Sequence, residues 1–151
     1  MFVSSLSLSS FRRYQGQVSA ALVLGGVDIN GPHIYTVYPH GSTDNLGYAT
    51  MGSGSLAAMA MFEARYKDDM SLEEAKQLVQ DAIHSGIFND LGSGSSCDLC
   101  VITKDGTDFI RGHSKPNERL PGRREYHFAK GATPILGEHI EVLSGGAPMD
   151  L

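Results

Sequence analysis

The feature that most constrains the fold is a pair of helices joined by only three residues. Ser71 and Glu74 have the spacing of a helix capping box, and apolar residues follow them at helical spacing. Immediately upstream, residues 55–67 (SLAAMAMFEARYK) are mostly strong helix formers. Because residues 68–70 form so short a link, the two helices are predicted to fold back on one another as an antiparallel pair. The first helix is apolar on nearly every side, so we expect it to be packed on both flanks and well buried.

Strand-like sequence precedes this helix pair. Residues 18–27 (VSAALVLGGV) and residues 34–38 (IYTVY) flank a turn-forming DINGP segment. Short apolar and β-branched runs on either side of a turn predict an antiparallel strand pair. Residues 39–47 then predict a loop, and residues 48–51 predict a third short strand.

Strand-like sequence also follows the helix pair. Residues 98–103 and 107–111 flank Lys104-Asp105-Gly106, which predicts a β-hairpin. From residue 113 onward Pro and Gly are frequent, and the sequence predicts loops with at most short strands near residues 125–128 and 139–143. Strands, two adjacent helices and then strands indicate an α+β fold rather than a regular βαβ alternation.

The motif Gly-Ser-Gly-Ser occurs once at each outer end of the helix pair. Residues 52–55 enter the first helix, and residues 92–95, preceded by Asp90, leave the second. The helices differ in length by about one turn, at about 1.5 Å per residue, so both loops are predicted at the same end. We therefore expect Ser53, Asp90 and Ser93 to approach one another. A carboxylate with neighbouring hydroxyls can orient a nucleophile and carry protons, although neither serine has an evident base partner.

Two other interpretations of these loops remain open. The glycine and serine residues can be helix punctuation, with glycine ending the second helix and Ser53 or Ser55 capping the first. Residues 52–57 also match the G-x-G-x-x-A form of the dinucleotide-binding fingerprint. That fingerprint requires a parallel strand after its helix, whereas a second helix is predicted here, so nucleotide binding is disfavoured.

The two cysteines and six histidines do not predict a cofactor or metal site. Cys97 and Cys100 have C-x-x-C spacing, but on a strand positions three apart face opposite sides, which favours two packed cysteines. The histidines show no ligand-like pairing, so no metal site is predicted. Two closely spaced cysteines are also too few for a secreted disulfide framework, which favours a reducing compartment.

Composition argues against one class of partner and one kind of anchor. The 151 residues are 41% hydrophobic and 19% charged, as in ordinary globular domains. A net charge of -5 with scattered basic residues argues against nucleic acid, and no apolar run reaches the ~18 residues of a membrane span. We expect residues 1–10 to be an unstructured leader or a wrongly assigned start, with a mitochondrial targeting segment as the alternative, and residues 11–151 to form one domain.

Three segments resemble the beta subunits of the eukaryotic proteasome core particle, of the trypsin-like type. They are FRRYQGQVSAALVLGGVDINGPHIYTVYPHGS, TMGSGSLAAMAMFE and EEAKQLVQDAIHSGIFNDLGSGSSCDLCVI, and the resemblance runs from about residue 11 to about residue 110. It implies an N-terminal-nucleophile hydrolase fold, which is an αββα four-layer sandwich. It also implies assembly with alpha and beta subunits in stacked rings, polypeptide substrates, no cofactor, and a location in cytoplasm and nucleus.

The resemblance also implies roles for the residues of the two loops. In this family the nucleophile is an N-terminal threonine, and by motif Asp90, Ser93 and Ser53 match the residues that support it. The matching threonine, a lysine, an aspartate and an oxyanion-hole glycine would lie in N-terminal strands that this sequence lacks, so the fold is expected to be incomplete and the chain inactive alone. The alternative is a non-catalytic structural or assembly subunit. A C-terminal arm over residues 137–151 is expected to embrace a neighbouring subunit.

Overall fold

The computed structural model describes residues 4–118, 122, 129–132 and 136–141. Their contacts divide the chain into two units, Met1–Arg119 and Leu120–Leu151. In the second unit the Ala132 N–H donates to the Ala129 carbonyl at 3.0 Å and closes a turn. The expectation of one domain over residues 11–151 stays a prediction. Among the residues that the structure describes, no helix combines the length and hydrophobicity that crossing a membrane requires.

After a first helix that was not predicted, the elements of the first unit follow the predicted order of strands, two helices and strands, so the mixed α+β content is confirmed. In chain order they are α1 Ser4–Tyr14, β1 Leu22–Asp28, β2 Gly31–Val37, β3 Thr43–Asn45, α2 Ser55–Arg65, α3 Leu72–Asn89, β4 Cys97–Thr103 and β5 Gly106–Ser114.

Residues 4–10, for which an unstructured leader or a wrongly assigned start was expected, form most of helix α1. Its last turn has two attachments to the rest of the unit. The Phe11 side chain is buried, with 7% of its surface exposed. The Arg12 Nε donates to the Gly41 carbonyl at 3.2 Å. Burial of one aromatic ring and a charge-assisted hydrogen bond stabilise a helix that composition alone did not predict.

The first sheet has the order β1-β2-β3, with both pairs antiparallel. Leu22 lies opposite Val37 and Asp28 opposite Gly31, so the predicted first pair is confirmed. At the turn, the Asp28 carboxylate accepts the Asn30 N–H at 2.7 Å. Short polar side chains that bond the backbone two residues on are typical of such turns.

The third strand is β3, Thr43–Asn45, and the prediction of a strand over residues 48–51 is wrong. A tight turn explains the difference. The Tyr38 N–H donates to the Ser42 carbonyl, and the Gly41 N–H donates to the Tyr38 carbonyl, each at 2.9 Å. The chain therefore reverses at once, and residues expected in a loop pair with β2, with Thr43 opposite Val37.

Helices α2 and α3 form the predicted antiparallel pair. Ser85 Oγ near the end of α3 donates to the Ala57 carbonyl near the start of α2, at 3.2 Å. At the opposite end, Lys67 Nζ lies 3.1 Å from a Glu74 carboxylate oxygen. The predicted capping box is also confirmed, because the Ser71 side chain accepts the Glu74 N–H while the Glu74 side chain accepts the Ser71 N–H.

Helix α2 was predicted to be deeply buried, and this prediction is wrong for the residues that the structure describes. Ala58 is the buried residue of this helix, whereas Leu56 is 85% exposed. The core contact of the pair is instead made by α3, where Leu78 and Ala82 are 2% and 1% exposed. An apolar helix is buried only on the faces that a neighbouring element covers, and here that neighbour is α3.

The second sheet is the predicted hairpin of β4 and β5, with Thr103 opposite Gly106. Its buried side chains include Cys97 and Leu99, at 0% and 4% exposure. Cys97 and Cys100 face opposite sides as expected, but Cys100 is exposed, so the prediction of two packed cysteines is wrong for Cys100. Cys100 instead lines the open cavity that side chains of the first sheet and of α3 also line.

Three predictions fall wholly or partly outside the described residues. The strand near residues 125–128 lies outside them, as do residues 142–151 of the predicted C-terminal arm. For the strand near residues 139–143, the described part, residues 139–141, is not in a strand.

Candidate functional site

The site is built around Asp90, the residue that caps the C-terminus of α3. Its backbone N–H donates to the Gly86 carbonyl at 2.9 Å and completes the helix. Its φ and ψ of -104° and 121° are extended, so the chain leaves the helical path at this residue. The next turn is closed twice, since the Asp90 side chain accepts the Gly92 N–H at 3.0 Å and the Asp90 carbonyl accepts the Ser93 N–H at 3.1 Å.

Both Gly-Ser loops reach the Asp90 carboxylate. Ser53 Oγ, 37 residues upstream, donates to Asp90 Oδ2 at 2.5 Å. Ser93 Oγ donates to the same oxygen at 2.6 Å. These are the short distances of hydroxyl donors on an ionised carboxylate. The expected approach of Ser53, Asp90 and Ser93 is therefore present, and we call these three residues the acid-hydroxyl cluster.

The alternative interpretation, in which Ser53 or Ser55 caps the first helix, does not account for either serine. Gly54 occupies the N-cap of α2, no side chain caps that terminus, and Ser55 is the first helical residue. The loop before it turns at Gly52, whose φ of +114° lies in the region that favours glycine. This turn, with the Ser55 N–H donating to the Gly52 carbonyl at 3.2 Å, leaves the Ser53 side chain directed at Asp90.

Hydrogen bonding lowers the pKa of Asp90 below its ordinary value. The largest cause is the Ser53 hydroxyl, followed by the Ser93 hydroxyl and the Gly92 N–H, all of which stabilise the charged form. Asp90 is consequently a carboxylate at neutral pH.

A large apolar cavity adjoins the cluster. Its volume is about 1040 Å³. The two serines line it together with side chains from the first sheet and from α3, among them Val23, Ile34, Leu78 and Ile83. Val23 and Ile83 are 48% and 41% exposed, so this cavity is open to water.

The other candidate chemistries of the sequence receive no support from this geometry. Within residues 52–89, helix α3 rather than a strand follows α2, so the order that the dinucleotide fingerprint requires is not present. Burial, and then the charge of Asp98, raise the pKa of the Cys97 thiol, which disfavours the reactive thiolate. In the described part of the chain, no group of three or more His, Cys, Asp or Glu side chains is arranged to hold a metal ion.

Three features of the site were not predicted from sequence. These are the Gly92 N–H on the carboxylate, the placement of both hydroxyls on one oxygen, and the close packing of Gly54 against α3. Only the last had a signal in the sequence. A glycine at a helix N-terminus, flanked by serines that cap better, indicates a position where a side chain does not fit.

Comparison with known proteins identifies the family. A model of the family described as "Proteasome subunit" matches residues 1–102. Proteasome subunit beta type-7 of Dictyostelium discoideum is 60% identical over 132 residues, which are 87% of this chain and 50% of that protein. Proteasome subunit beta type-7-A of Arabidopsis thaliana is 54% identical over 145 residues, or 91% of this chain and 53% of that protein.

A second type of beta subunit is also similar. Proteasome subunit beta type-10 of Rattus norvegicus is 46% identical over 132 residues, which are 87% of this chain and 48% of that protein. The chain thus spans about half the length of the curated relatives it matches. The family match and these identities show that the chain belongs to the proteasome subunit family, among its beta subunits of the type-7 and type-10 kind.

Proposed function

We propose that the acid-hydroxyl cluster is the supporting part of the catalytic centre of a trypsin-type proteasome beta subunit. In its full-length form such a subunit is a threonine endopeptidase of the core particle and takes part in ubiquitin-dependent protein degradation. One observation carries the proposal: Ser53 and Ser93 both donate their hydroxyl protons to Oδ2 of Asp90.

This hydrogen-bond pattern fits an amine. A serine hydroxyl has one proton to donate and two lone pairs that accept. With both protons committed to Asp90, the serine oxygens are left only with acceptor capacity. An amine that donates its N–H groups to these oxygens directs its own lone pair away from them. In an N-terminal threonine, that lone pair can take the proton of the residue's own hydroxyl, which activates the nucleophile.

The 151-residue chain by itself is proposed to be inactive. In the described part of the chain, the recorded hydrogen bonds of the Asp90 carboxylate come from two serines and the Gly92 amide, and no lysine, histidine or threonine joins them. Acyl transfer needs a nucleophile with an adjacent base. We propose that both belong to the half of the relatives' length that this chain does not span, together with the strands that complete an αββα sandwich.

The partners and location follow from the same proposal. They are the alpha and beta subunits of the stacked proteasome rings, with polypeptides as substrates and the cytoplasm and nucleus as the location. Exposed apolar side chains at the cluster end of the helix pair support a partner-covered surface, since Leu56 and Leu91 are 85% and 107% exposed.

A second candidate function is a non-catalytic structural or assembly subunit. This candidate is favoured because no base lies beside Asp90 among the described residues. A structural subunit needs the surfaces that contact its ring neighbours, but it does not need a nucleophile. Transcript sequencing upstream of the Met1 codon separates the two. A longer reading frame with a Gly-Thr-Thr segment supports the enzyme, whereas transcripts that begin at Met1, and a chain that co-purifies with core-particle subunits, support the second candidate.

The catalytic proposal is tested in the assembled core particle that contains the longest encoded chain. Asp90→Asn is expected to lower the cleavage of peptides after basic residues by on the order of 10²-fold, since it removes the charge that organises the cluster. The matched control is Asp105→Asn, in the turn of the β4–β5 hairpin, which is expected to leave cleavage unchanged. Assembly with unchanged cleavage in Asp90→Asn contradicts the proposal.

A further inference from the structure

The backbone conformation of Gly54 does not explain why a glycine occupies this position. Its φ and ψ are -89° and 8°, which residues with side chains also adopt. As the N-cap of α2, it occupies a position where Ser, Thr, Asp or Asn is preferred, and no side chain makes the capping hydrogen bond. Something other than backbone freedom or capping must therefore favour a residue without a β-carbon.

That reason lies in the packing against α3. A β-carbon on Gly54 would lie 3.2 Å from the Gly86 Cα, 3.3 Å from Ser93 Oγ and 3.4 Å from Asp90 Oδ2. The first of these atoms belongs to a buried backbone within a helix, which cannot move aside as a flexible side chain does. A methyl group would have to push against the helix or against the cluster.

Gly92 makes the corresponding approach from the other loop. A β-carbon there would lie 3.2 Å from Ser53 Oγ, and 3.5 Å and 3.6 Å from the two carboxylate oxygens of Asp90. The φ of Gly92 lies outside the left-handed region, so its conformation alone does not require glycine either. Each loop thus brings a glycine against the hydroxyl that the other loop supplies.

We propose that Gly54 and Gly92 are positioning residues, whose missing β-carbons let the two loops close until both serine hydroxyls reach one oxygen of Asp90. The glycines would act through the serines and the carboxylate, and neither would touch a substrate. The consequence for catalysis rests on the proposed function, whereas the geometric statement concerns this chain alone.

Gly94 provides a matched control for Gly92. It lies two residues further along the same loop, its φ is also outside the left-handed region, and a β-carbon on it would meet no atom within 4 Å. Gly92→Ala and Gly94→Ala therefore add the same methyl group to the same loop. They differ in whether that methyl meets the acid-hydroxyl cluster.

The test is a carbon-13 NMR titration of the Asp90 carboxyl group in the 151-residue chain. Gly92→Ala is expected to raise the pKa of Asp90 towards its ordinary value, because the methyl displaces the Ser53 hydroxyl that lowers it most. Gly94→Ala is expected to titrate like the parent chain. A general loss of stability without displacement would leave the folded-state titration unchanged, so this readout separates positioning from folding.

Gly54→Ala provides the second variant, on the other loop. If it folds by circular dichroism, its Asp90 pKa is also expected to rise. If it does not fold, the test rests on comparing the Asp90 titrations of Gly92→Ala and Gly94→Ala. Identical Asp90 titrations in those two variants overturn the inference. Failure of the proposed function has a different signature, since cleavage by the core particle would survive Asp90→Asn while the Gly92→Ala titration still shifts.

Discussion

At the scale of single residues, Asp90 has separate tasks for its backbone and its side chain. The N–H closes the last turn of α3, while the carboxylate collects donors from both loops. Ser53 comes from a distant part of the sequence, so its bond to Asp90 also fixes the start of α2 against the end of α3. The role proposed for Asp90 requires a carboxylate that is held in place, and these hydrogen bonds restrain it.

The first prediction concerns acid stability and Ser53. The folded-state pKa of Asp90 is lowered, so its carboxylate contributes stability above its ordinary pKa, and that contribution is lost as the pH falls through the folded-state pKa. Ser53→Ala removes the largest cause of the lowering. The drop in the free energy of unfolding on acidification through this range should therefore become smaller, as measured by urea denaturation at several pH values.

Ser96→Ala is the control for this prediction, since Ser96 is an exposed serine that directly follows the second Gly-Ser loop. It should leave the pH dependence unchanged. Ser93→Ala should also reduce it, but by less than Ser53→Ala, because the Ser93 hydroxyl is the second cause of the lowered pKa of Asp90. An acid response of Ser53→Ala identical to that of Ser96→Ala would show that the Ser53 hydroxyl does not stabilise the carboxylate.

At the scale of elements, the capping box fixes where α3 begins. Ser71→Ala removes a side chain that accepts the Glu74 N–H and donates to the Glu74 carboxylate. The expected loss is about 1 kcal/mol in the free energy of unfolding. Thermal or urea denaturation measures it, with Ser42→Ala in the exposed turn after β2 as the control. Equal stability of the two variants would mean that the box contributes nothing to α3.

A second prediction for this helix follows from Glu74. The Ser71 N–H, the Ser71 hydroxyl and Lys67 lower the pKa of Glu74 to about 2. Because the folded pKa lies below the ordinary value of 4.5, the stabilising contribution is present above pH 4.5 and is lost as the pH falls to 2. Glu74→Gln should flatten the pH dependence of stability in that window. Ser42→Ala, which changes no titratable group, is the comparison and should retain the steeper dependence.

The elements that could be predicted are those with local signals. The capping box, the short link between α2 and α3 and the Lys104-Asp105-Gly106 turn each act within a few residues, and they determine α3, the helix pair and the β4–β5 hairpin. Strand β3 could not be predicted, because it exists only through the turn that brings Thr43 opposite Val37. Nor could the exposure of Leu56, which depends on what covers α2 rather than on its own periodicity.

The same distinction applies to the site. The approach of Ser53 to Asp90 follows from two helices of similar length that run antiparallel, which sequence can predict. The shared oxygen and the clearances around Gly54 and Gly92 depend on differences of a few tenths of an ångström, and spacing along the chain does not determine these. Sequence therefore predicted which residues meet, but not how closely.

At the scale of the whole molecule, the core formed by the described residues is small and includes four buried residues of α3. Leu78 is 2% exposed and lies among the side chains that line the apolar cavity. Leu78→Ala should lower the free energy of unfolding by about 3 kcal/mol, the typical cost of truncating a buried leucine. Leu56→Ala on α2, at 85% exposure, should change it by less than about 0.5 kcal/mol. If urea denaturation shows equal losses of unfolding free energy for the two variants, the core does not lie around Leu78.

The central claim is that one helix pair brings two Gly-Ser loops onto a single carboxylate. The most direct measurement is the pair of distances from Ser53 Oγ and Ser93 Oγ to the Asp90 carboxylate in a crystal structure of this chain. The account predicts that both hydroxyls bond to the same oxygen, at about 2.5 and 2.6 Å. An Asp90 side chain turned into solvent, with Ser53 bonded elsewhere, would contradict it.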